Sequence, residues 1–438
     1  MKSIVNKRAV ALLFTVTFLC LFSACNTEPV RTNTELTVYI GYNDKPLEYA
    51  VDIYKARYPE VNVTVINTGV MDPEAQGNYE QQLAVDLMAG KGADVFILQS
   101  YWDIDKMVTN GAFADLETFY QEDQVLDKAS FNRVVMDACV YDGKRFAIPM
   151  EYSFPILLTS ASTLEETQFN LDNCKNFEGF LAETQKYYAD GRDDRLLFRM
   201  DITARDCLFL SGYSFVNVIE KRSDITTDEF SRFYHWYKEI VEKGTYNYEF
   251  GDAFGAAAVR DKKCIFDNTL DYSSFDDVIN QVRFLDTTDH AVLTPLYNKD
   301  GGITATVSRA VGVRANSANK QNAWNFIQIL FSEEVQMNPG AQRGNINISS
   351  VIMQKYGDKW GNKLFGSDLN GFTKDASPLD EKYIDFYLDN IKKINLCFFK
   401  PKWAGVIYKG MEPYIHNEAD FAEALEETQK QLDLYLTE

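Results

Sequence analysis

The sequence predicts an α/β fold, in which parallel strands are covered by helices on both faces. Leu36–Ile40 reads as a short strand, and Val61, Val63 and Val65 alternate as the next one. Asp94–Leu98 follows as a continuous apolar strand, the pattern expected when both faces of a sheet are buried. Three strands separated by helices at this rhythm indicate a parallel sheet.

The segments between these strands carry helical signals. Pro46 opens the first helix and Pro59 stops it. Leu83 and Leu87 lie at helical spacing in the second helix, which ends at Gly90 and Gly92. Each helix can therefore return the chain to the same edge of the sheet.

The second half of the chain repeats this alternation less regularly. Helices are predicted at Asn176–Tyr188 and around Phe230–Tyr237, Ala323–Leu330 and Phe421–Leu432, and strands at Leu196–Phe198, Cys264–Phe266 and Ala310–Val313. Trp236 and Trp324 lie on apolar helix faces and are expected in the core. Because 438 residues are too many for one typical core, we expect two domains.

The N-terminus has the pattern of an export signal. Lys2, Lys7 and Arg8 precede an apolar run, Ala9–Phe22, that is shorter than the ~20 residues a transmembrane helix needs. Small residues follow that run, which favours a signal peptide over residues 1–24. No later stretch is long and apolar enough to span a bilayer, so the remainder is expected to be soluble.

The end of this signal carries a short motif, Leu21-Phe22-Ser23-Ala24-Cys25. It resembles the lipobox of bacterial lipoproteins, in which the cysteine is acylated and becomes the mature N-terminus, although Phe22 stands where the motif usually has Leu. The resemblance implies a lipid anchor on Cys25 and a polar tether over residues 25–34, as a tethered globular domain requires. The alternative is an ordinary secretory signal with a chance cysteine.

The chain is strongly acidic. Its net charge of −20 becomes −23 once the three positive charges of the signal are removed. A surface of this sign repels nucleic acid, which proteins bind through clusters of Lys and Arg. We therefore expect no nucleic-acid partner.

The cysteines and histidines favour neither a disulfide framework nor a metal site. After Cys25 the cysteines are odd in number and lack CxxC spacing: Cys139, Cys174, Cys207, Cys264 and Cys397. We expect them to be buried small hydrophobic residues. His235, His290 and His416 are far apart and form no HExxH, and the GxxxxGK[ST] and GxSxG motifs are absent from the sequence. We therefore expect no metal and no cofactor.

Six segments, taken in order, carry a family resemblance. They are Gly92–Ile97, Gly111–Leu116, Tyr141–Pro149, Ala310–Val313 with Ala323–Phe326, Phe331–Gln336 and Asp420–Leu425. Together they resemble the extracellular solute-binding proteins of ABC importers, in the class related to maltose-binding protein, over nearly the whole mature chain. One stretch departs from that family: after the last crossover an Ile-Pro step is frequent, whereas this chain has Gly344–Ile348.

The resemblance implies a two-lobe, periplasmic-binding-protein-like α/β fold with a hinge. The expected crossings between lobes lie near Pro149–Tyr152, Leu293–Pro295 and Gly344–Ile348. Each lobe is then discontinuous, with residues 35–150 and 296–344 in lobe 1 and residues 151–295 and 345–438 in lobe 2. A small ligand would bind between the lobes without covalent chemistry, and the favoured ligand is a sugar or oligosaccharide. The implied partners of this monomeric, membrane-anchored receptor are the permease subunits.

A sugar site needs flat aromatic surfaces for the ring faces and Asp, Glu, Asn or Gln for the hydroxyls. Residues of both kinds follow predicted strands and crossings: Tyr42, Asn43 and Asp44; Gln99, Tyr101 and Trp102; Glu151 and Tyr152; Asp267 and Asn268. The resemblance adds Tyr272 and Trp403 as stacking aromatics. The competing interpretation is that these residues pack at a lobe surface or at the hinge.

Two other functions remain open. The same scaffold could receive a non-sugar solute such as a peptide or a polyamine, and a cleft lined by carboxylates rather than aromatics would support that reading. The second alternative is a surface glycoside hydrolase or adhesin. Hydrolysis would need a pair of carboxylates, and nothing in the sequence places two of them together.

Overall fold

A computed structural model describes residues 34–40, 44–67, 73–99, 102–191, 195–199, 201–243, 256–267, 275–286, 288–338, 346–362 and 380–437. The strands are β1 (Glu35–Ile40), β2 (Asn62–Asn67), β3 (Val95–Gln99), β4 (Val140–Tyr141), β5 (Lys144–Arg145), β6 (Ala147–Ser153), β7 (Ile156–Ser160), β8 (Leu196–Phe198), β9 (Val216–Asn217), β10 (Arg222–Ser223), β11 (Cys264–Phe266), β12 (Ala291–Pro295), β13 (Ile303–Val313), β14 (Ile346–Asn347) and β15 (Ile394–Phe399).

The helices alternate with these strands along the chain. They are α1 (Lys45–Arg57), α2 (Pro73–Met88), α3 (Ile104–Thr109), α4 (Glu117–Glu122), α5 (Arg133–Asp137), α6 (Ala161–Thr167), α7 (Phe177–Ala189), α8 (Asp201–Leu210), α9 (Asp228–Lys243), α10 (Ala256–Arg260), α11 (Phe275–Asp286), α12 (Lys320–Leu330), α13 (Glu333–Gln336), α14 (Ser350–Asn362), α15 (Glu381–Ile391), α16 (Trp403–Ile415) and α17 (Phe421–Thr437).

The largest sheet has parallel and antiparallel parts. Its order is β14-β6-β13-β3-β1-β2, and β15 also pairs with β13. The parallel arrangement predicted for the first three strands is confirmed, because β1 is parallel to both β2 and β3. β13 is antiparallel to β3 and β6, which the sequence does not predict. One half of β13, Ile303–Val307, pairs with β15, and the other half, Arg309–Val313, pairs with β3.

A second group of strands follows β6. β7 is antiparallel to β12, and β8 is parallel to β11. An isolated bridge between Leu158 and Asp267 places β7 beside β11 and so joins the two pairs. The molecule is therefore a mixed α/β protein with two sheet regions.

Local contacts explain where the first elements begin. The Asp44 carboxylate caps α1 by accepting a hydrogen bond from the Leu47 backbone N–H at 3.3 Å, and Pro46 supplies a helix-compatible φ. Before β3, the buried Asp94 carboxylate accepts from the Thr37 N–H at 2.9 Å and from the Ser317 hydroxyl at 2.7 Å. Asp94 thus ties β1 and β3 to the segment preceding α12.

Two hydrophobic clusters form the cores. The first takes residues from β1 to β7, from α10 to α12 and from β13 to β15, and it includes Trp324. The second takes residues from α7 to α9 and from α16 and α17, and it includes Trp236. Both tryptophans are buried, which confirms the sequence expectation. Along β7, Leu157 packs in the second core and Leu158 in the first, so this strand lies between the two.

Two further sets of sequence expectations concern the N-terminus and the cysteines. The signal peptide, Cys25 and the tether up to residue 33 lie outside the described residues. Within the described part, no helix is both long and apolar enough to cross a membrane. The cysteines from Cys139 to Cys397 are free thiols in buried positions, as expected.

Candidate ligand-binding site

A cavity of about 310 Å³ lies where the two cores meet. Asp105 of α3 and Tyr141 of β4 line it from the side of the first core. Most of the remaining wall comes from the segment 209–219, from β15 and from the start of α16. The cavity is therefore built from parts of the chain that are distant in sequence, and both cores contribute to it.

Aromatic rings make up much of this wall. They are Tyr141, Phe209, Tyr213, Phe398, Phe399 and Trp403. Phe209 is in the last turn of α8, and Trp403 is the first residue of α16. Ser214 and Asn217 add hydrogen-bonding groups among the rings. Large apolar faces with a few polar groups are typical of small-molecule sites.

Asp105 and Tyr141 form one polar unit in the cavity wall. The Tyr141 hydroxyl donates a hydrogen bond to the Asp105 carboxylate at 2.8 Å. Burial raises the pKa of Asp105, although the hydrogen bond from Tyr141 acts in the opposite direction. Burial and the neighbouring Asp105 charge hold the pKa of Tyr141 well above its ordinary value. This unit places a hydrogen-bonded carboxyl group within a largely aromatic wall.

Trp403 is the predicted ligand residue that the structure places in this cavity. Only 7 % of its surface is exposed, because the rest packs into the second core. Sequence reasoning missed the other lining residues. Asp105 carries no local sign of a site, since an acidic residue in the first turn of a helix is common.

Asp44 and Glu151 come together elsewhere, around Arg309 of β13. Arg309 donates to the Glu151 carboxylate at 2.9 Å and makes a second ion pair with Asp44. Burial alone would lower the pKa of Arg309, but the charges of Glu151 and Asp44 outweigh burial and raise the pKa. This cluster joins α1, β6 and β13. A buried arginine directly before the apolar stretch Ala310–Val313 of β13 is the sequence signal that could have pointed to it.

Asp267 has a similar arrangement in the second group of strands. It is fully buried after β11, and Arg199, after β8, donates to its carboxylate at 3.1 Å. The Asp267 backbone N–H donates to the Leu158 carbonyl at 2.9 Å. Asp267 therefore links the ends of β8 and β11 to the middle of β7.

The other described candidates are largely packed in the first core. Gln99, half-buried, ends β3 opposite Arg309. Trp102 is 7 % exposed, and within the described part of the chain its buried indole N–H has no hydrogen-bond partner. Tyr152 is 1 % exposed, and burial raises the pKa of its hydroxyl. None of the three lines the 310 Å³ cavity.

The remaining candidates are Tyr42, Asn43, Tyr101, Asn268 and Tyr272, all of which lie outside the described residues. In the chain they follow β1, β3 and β11. Their participation in the site stays a prediction. Across the ranges that the structure describes, His, Cys, Asp and Glu side chains form no group of three or more that could hold a metal ion.

Comparison with known proteins gives a family and a set of similar folds. A family model described as bacterial extracellular solute-binding protein matches residues 41–337. Similar solved structures include the sugar-binding protein MalE from Xanthomonas citri (TM-score 0.66, 13% identity, 92% of this chain and 98% of that chain covered). A search of curated proteins finds no match.

Two further solved structures are similar over comparable lengths. The cyclic alpha-maltosyl-1,6-maltose binding protein from Arthrobacter globiformis has a TM-score of 0.60 at 13% identity, covering 92% of this chain and 99% of that chain. A periplasmic oligogalacturonide binding protein from Yersinia enterocolitica has a TM-score of 0.65 at 15% identity, with 92% and 99% covered. These likenesses show the two-lobe fold.

Proposed function

Because the chain belongs to the bacterial extracellular solute-binding protein family, we propose that it captures a carbohydrate between its lobes for uptake by an ABC importer. The observation that carries the proposal is the aromatic cavity between the two cores. Its aromatic residues line the same space as Asp105, so apolar surfaces and a polar carboxyl group converge there. A sugar, with apolar ring faces and a rim of hydroxyls, matches that combination. The similar solved structures whose names describe saccharide binding also support the proposal.

The energetics of such a site are adequate. Burying roughly 80 Å² of a sugar ring face against an aromatic side chain contributes about 2 kcal/mol. A micromolar complex needs about 8 kcal/mol net. Two or three stacking contacts contribute about 4–6 kcal/mol, so several hydrogen bonds must supply the rest and offset the costs of association.

The proposed mechanism is ligand-dependent closure without covalent chemistry. A ligand that contacts both walls stabilises the arrangement in which Asp105 and Trp403 face the same space. It shifts the balance between open and closed forms only through its extra affinity for the closed form. Permease subunits would then recognise the closed shape.

The cavity also bears on the alternatives. A cationic solute such as a polyamine is the second candidate, because the one charged side chain in the described lining is the Asp105 carboxylate. A glycoside hydrolase is less well supported, since most use two carboxylates and the described lining holds one.

The location follows from the N-terminal signal. We propose acylation of Cys25, with the mature protein anchored on the outer face of the cell membrane. Metabolic labelling with an alkyne fatty acid tests the anchor: the wild-type protein should be labelled, and Cys25→Ala should not. Labelling that survives the substitution would contradict it.

A ligand screen tests the proposed function. We would measure thermal unfolding of the mature protein with maltotriose, a trimer of galacturonic acid and spermidine, and then extend the panel to other oligosaccharides. A ligand at 100 times its Kd should add about 2.7 kcal/mol of stability. Stabilisation by neutral saccharides is the expected result, whereas stabilisation by spermidine alone would support the cationic alternative.

A further inference from the structure

The end of the C-terminal helix contacts the first core directly. The Tyr435 hydroxyl, in the last turns of α17, donates a hydrogen bond to the Asp103 carboxylate at 2.8 Å. The Lys106 ammonium lies 4.0 Å from the centroid of the same ring. One side chain of α17 therefore makes a hydrogen bond and a cation–π contact to α3.

These two helices belong to different cores. Leu432 and Leu436, on either side of Tyr435 in α17, are buried in the second core. Ile104 and Met107 of α3 are buried in the first. The Tyr435 contact therefore connects the two cores directly, in addition to the strands that link them.

The contact lies beside the candidate cavity. Asp105, two residues after Asp103, lines the cavity from α3, and Trp403 lines it from α16. Burial lowers the pKa of Lys402, and the Asp103 charge acts in the opposite direction, so Lys402 also lies near Asp103. α16 packs along α17, where the position of Gly410 leaves no room for a side chain beside Thr428. A fixed distance between α17 and α3 therefore fixes the distance between Asp105 and Trp403.

The chemistry of the contact keeps the hydrogen-bond donor and acceptor unchanged across the physiological pH range. Burial and the Asp103 charge raise the pKa of Tyr435 above its ordinary value, so the hydroxyl remains a donor at physiological pH. Asp103 is also held in place, because its other carboxylate oxygen caps α3 by accepting from the Lys106 backbone N–H at 3.3 Å.

We propose that Tyr435 is a positioning residue that clamps α17 to α3, holds the two lobes together before ligand binds, and sets the spacing of the cavity walls. Its consequence for affinity rests on the proposed function, whereas the clamp itself does not. Removing the clamp should let the lobes separate and reduce the population that is ready to bind.

Interlobe distances measured on the ligand-free mature protein test the clamp. Spin labels at two exposed positions, Val125 near the first core and Glu418 between α16 and α17, report the separation by electron–electron resonance. Tyr435→Phe should raise the ratio of long-distance to short-distance forms about 10- to 150-fold, the effect of one hydrogen bond to a charged group. Lys106→Met should change the ratio in the same direction by about two- to fivefold.

Leu434→Ala is the matched control, because Leu434 is the neighbouring residue of α17 and is 60 % exposed. It should leave the distances unchanged. Identical distances in wild type and Tyr435→Phe, with equal thermal midpoints, would overturn the clamp. A shifted distance together with no saccharide binding would overturn the proposed function and leave the clamp standing.

Discussion

Asp105 is a carboxylate whose surroundings oppose its charge. It sits among aromatic rings at the meeting point of the cores, with the Tyr141 hydroxyl donating to it at 2.8 Å. Burial raises its folded-state pKa above the ordinary value of 3.8. The folded protein therefore binds this proton more tightly than the unfolded chain does, and the ionised form reduces stability at neutral pH. Carboxyl groups with a strongly perturbed pKa are concentrated at functional sites, which agrees with the place of Asp105 in the cavity wall.

Asp105→Asn should stabilise the protein at pH 7, because the amide carries no charge and still accepts a hydrogen bond from Tyr141. The gain is present above the folded-state pKa of Asp105 and disappears as the pH falls below 3.8. Thermal midpoints of both proteins between pH 7 and pH 3.5 measure this. A gain in thermal midpoint that grows towards acid pH would contradict the destabilising effect of the Asp105 charge. In binding assays the substitution should weaken the binding of spermidine far more than the binding of a neutral saccharide.

Trp403→Phe should weaken saccharide binding about tenfold, equivalent to about 1.4 kcal/mol, since the smaller ring offers less stacking surface. Calorimetry with the best saccharide from the screen measures the change. Because most of Trp403 packs in the second core, the thermal midpoint of the Trp403→Phe variant should also fall. Trp324→Phe is the control: it loses the indole hydrogen bond to Asp123 at 2.7 Å, so its midpoint falls while Kd stays unchanged. Equal weakening in both variants would remove Trp403 from the site.

Sequence reasoning identified some of the individual site residues. Trp403 was accessible through the family resemblance. Asp105 and Tyr141 were not, because they are separated by 36 positions and become neighbours only when β4 folds over α3. Asp44 and Glu151 were recognised as polar residues after strands, but their shared partner Arg309 lies more than 150 residues further along the chain. Pairing over such separations is set by tertiary structure.

α16 and α17 are the elements that connect the second core to the cavity and to the clamp. They approach each other tightly at Gly410, where a Cβ would lie 2.3 Å from the Thr428 hydroxyl oxygen and 2.9 Å from the Thr428 Cα. That backbone atom cannot move without shifting α17. The glycine is therefore required by helix packing.

Gly410→Ala should destabilise the protein by about 2 kcal/mol, the usual cost of overpacking a close contact. Gly405→Ala is the matched control in the same helix, because a Cβ there meets nothing within 4 Å. It should be neutral or stabilising by about 0.5 kcal/mol through helix propensity. Denaturant unfolding of both variants distinguishes them, and equal stabilities would contradict the packing described here.

Helices and strands are predicted correctly where the hydrophobic periodicity is strong. β1, α1, β3 and α7 lie within a few residues of their predicted bounds. β15 was not predicted, because the exposed Asn395 and Leu396 interrupt any simple alternation and the strand is defined by its pairing with β13. β13 was predicted as four residues and has eleven, since its first half alternates Thr and Ser with apolar residues.

The whole molecule is organised around two cores and the space between them. Length alone predicted two domains, and the resemblance predicted two lobes, which the family and the fold confirm. The division of the chain between lobes stays a prediction. The first core also contains Val278 and Tyr387, from stretches assigned by sequence to lobe 2, so local patterns do not reveal which core a helix joins.

Hydrogen exchange with and without the best saccharide tests the central claim most directly. If the ligand lies between the lobes, amides of α3 and β4 on one side and of the segment 209–219 and the start of α16 on the other should all gain protection. Protection confined to one of these sides, or located only outside both, would contradict a site shared by the two cores.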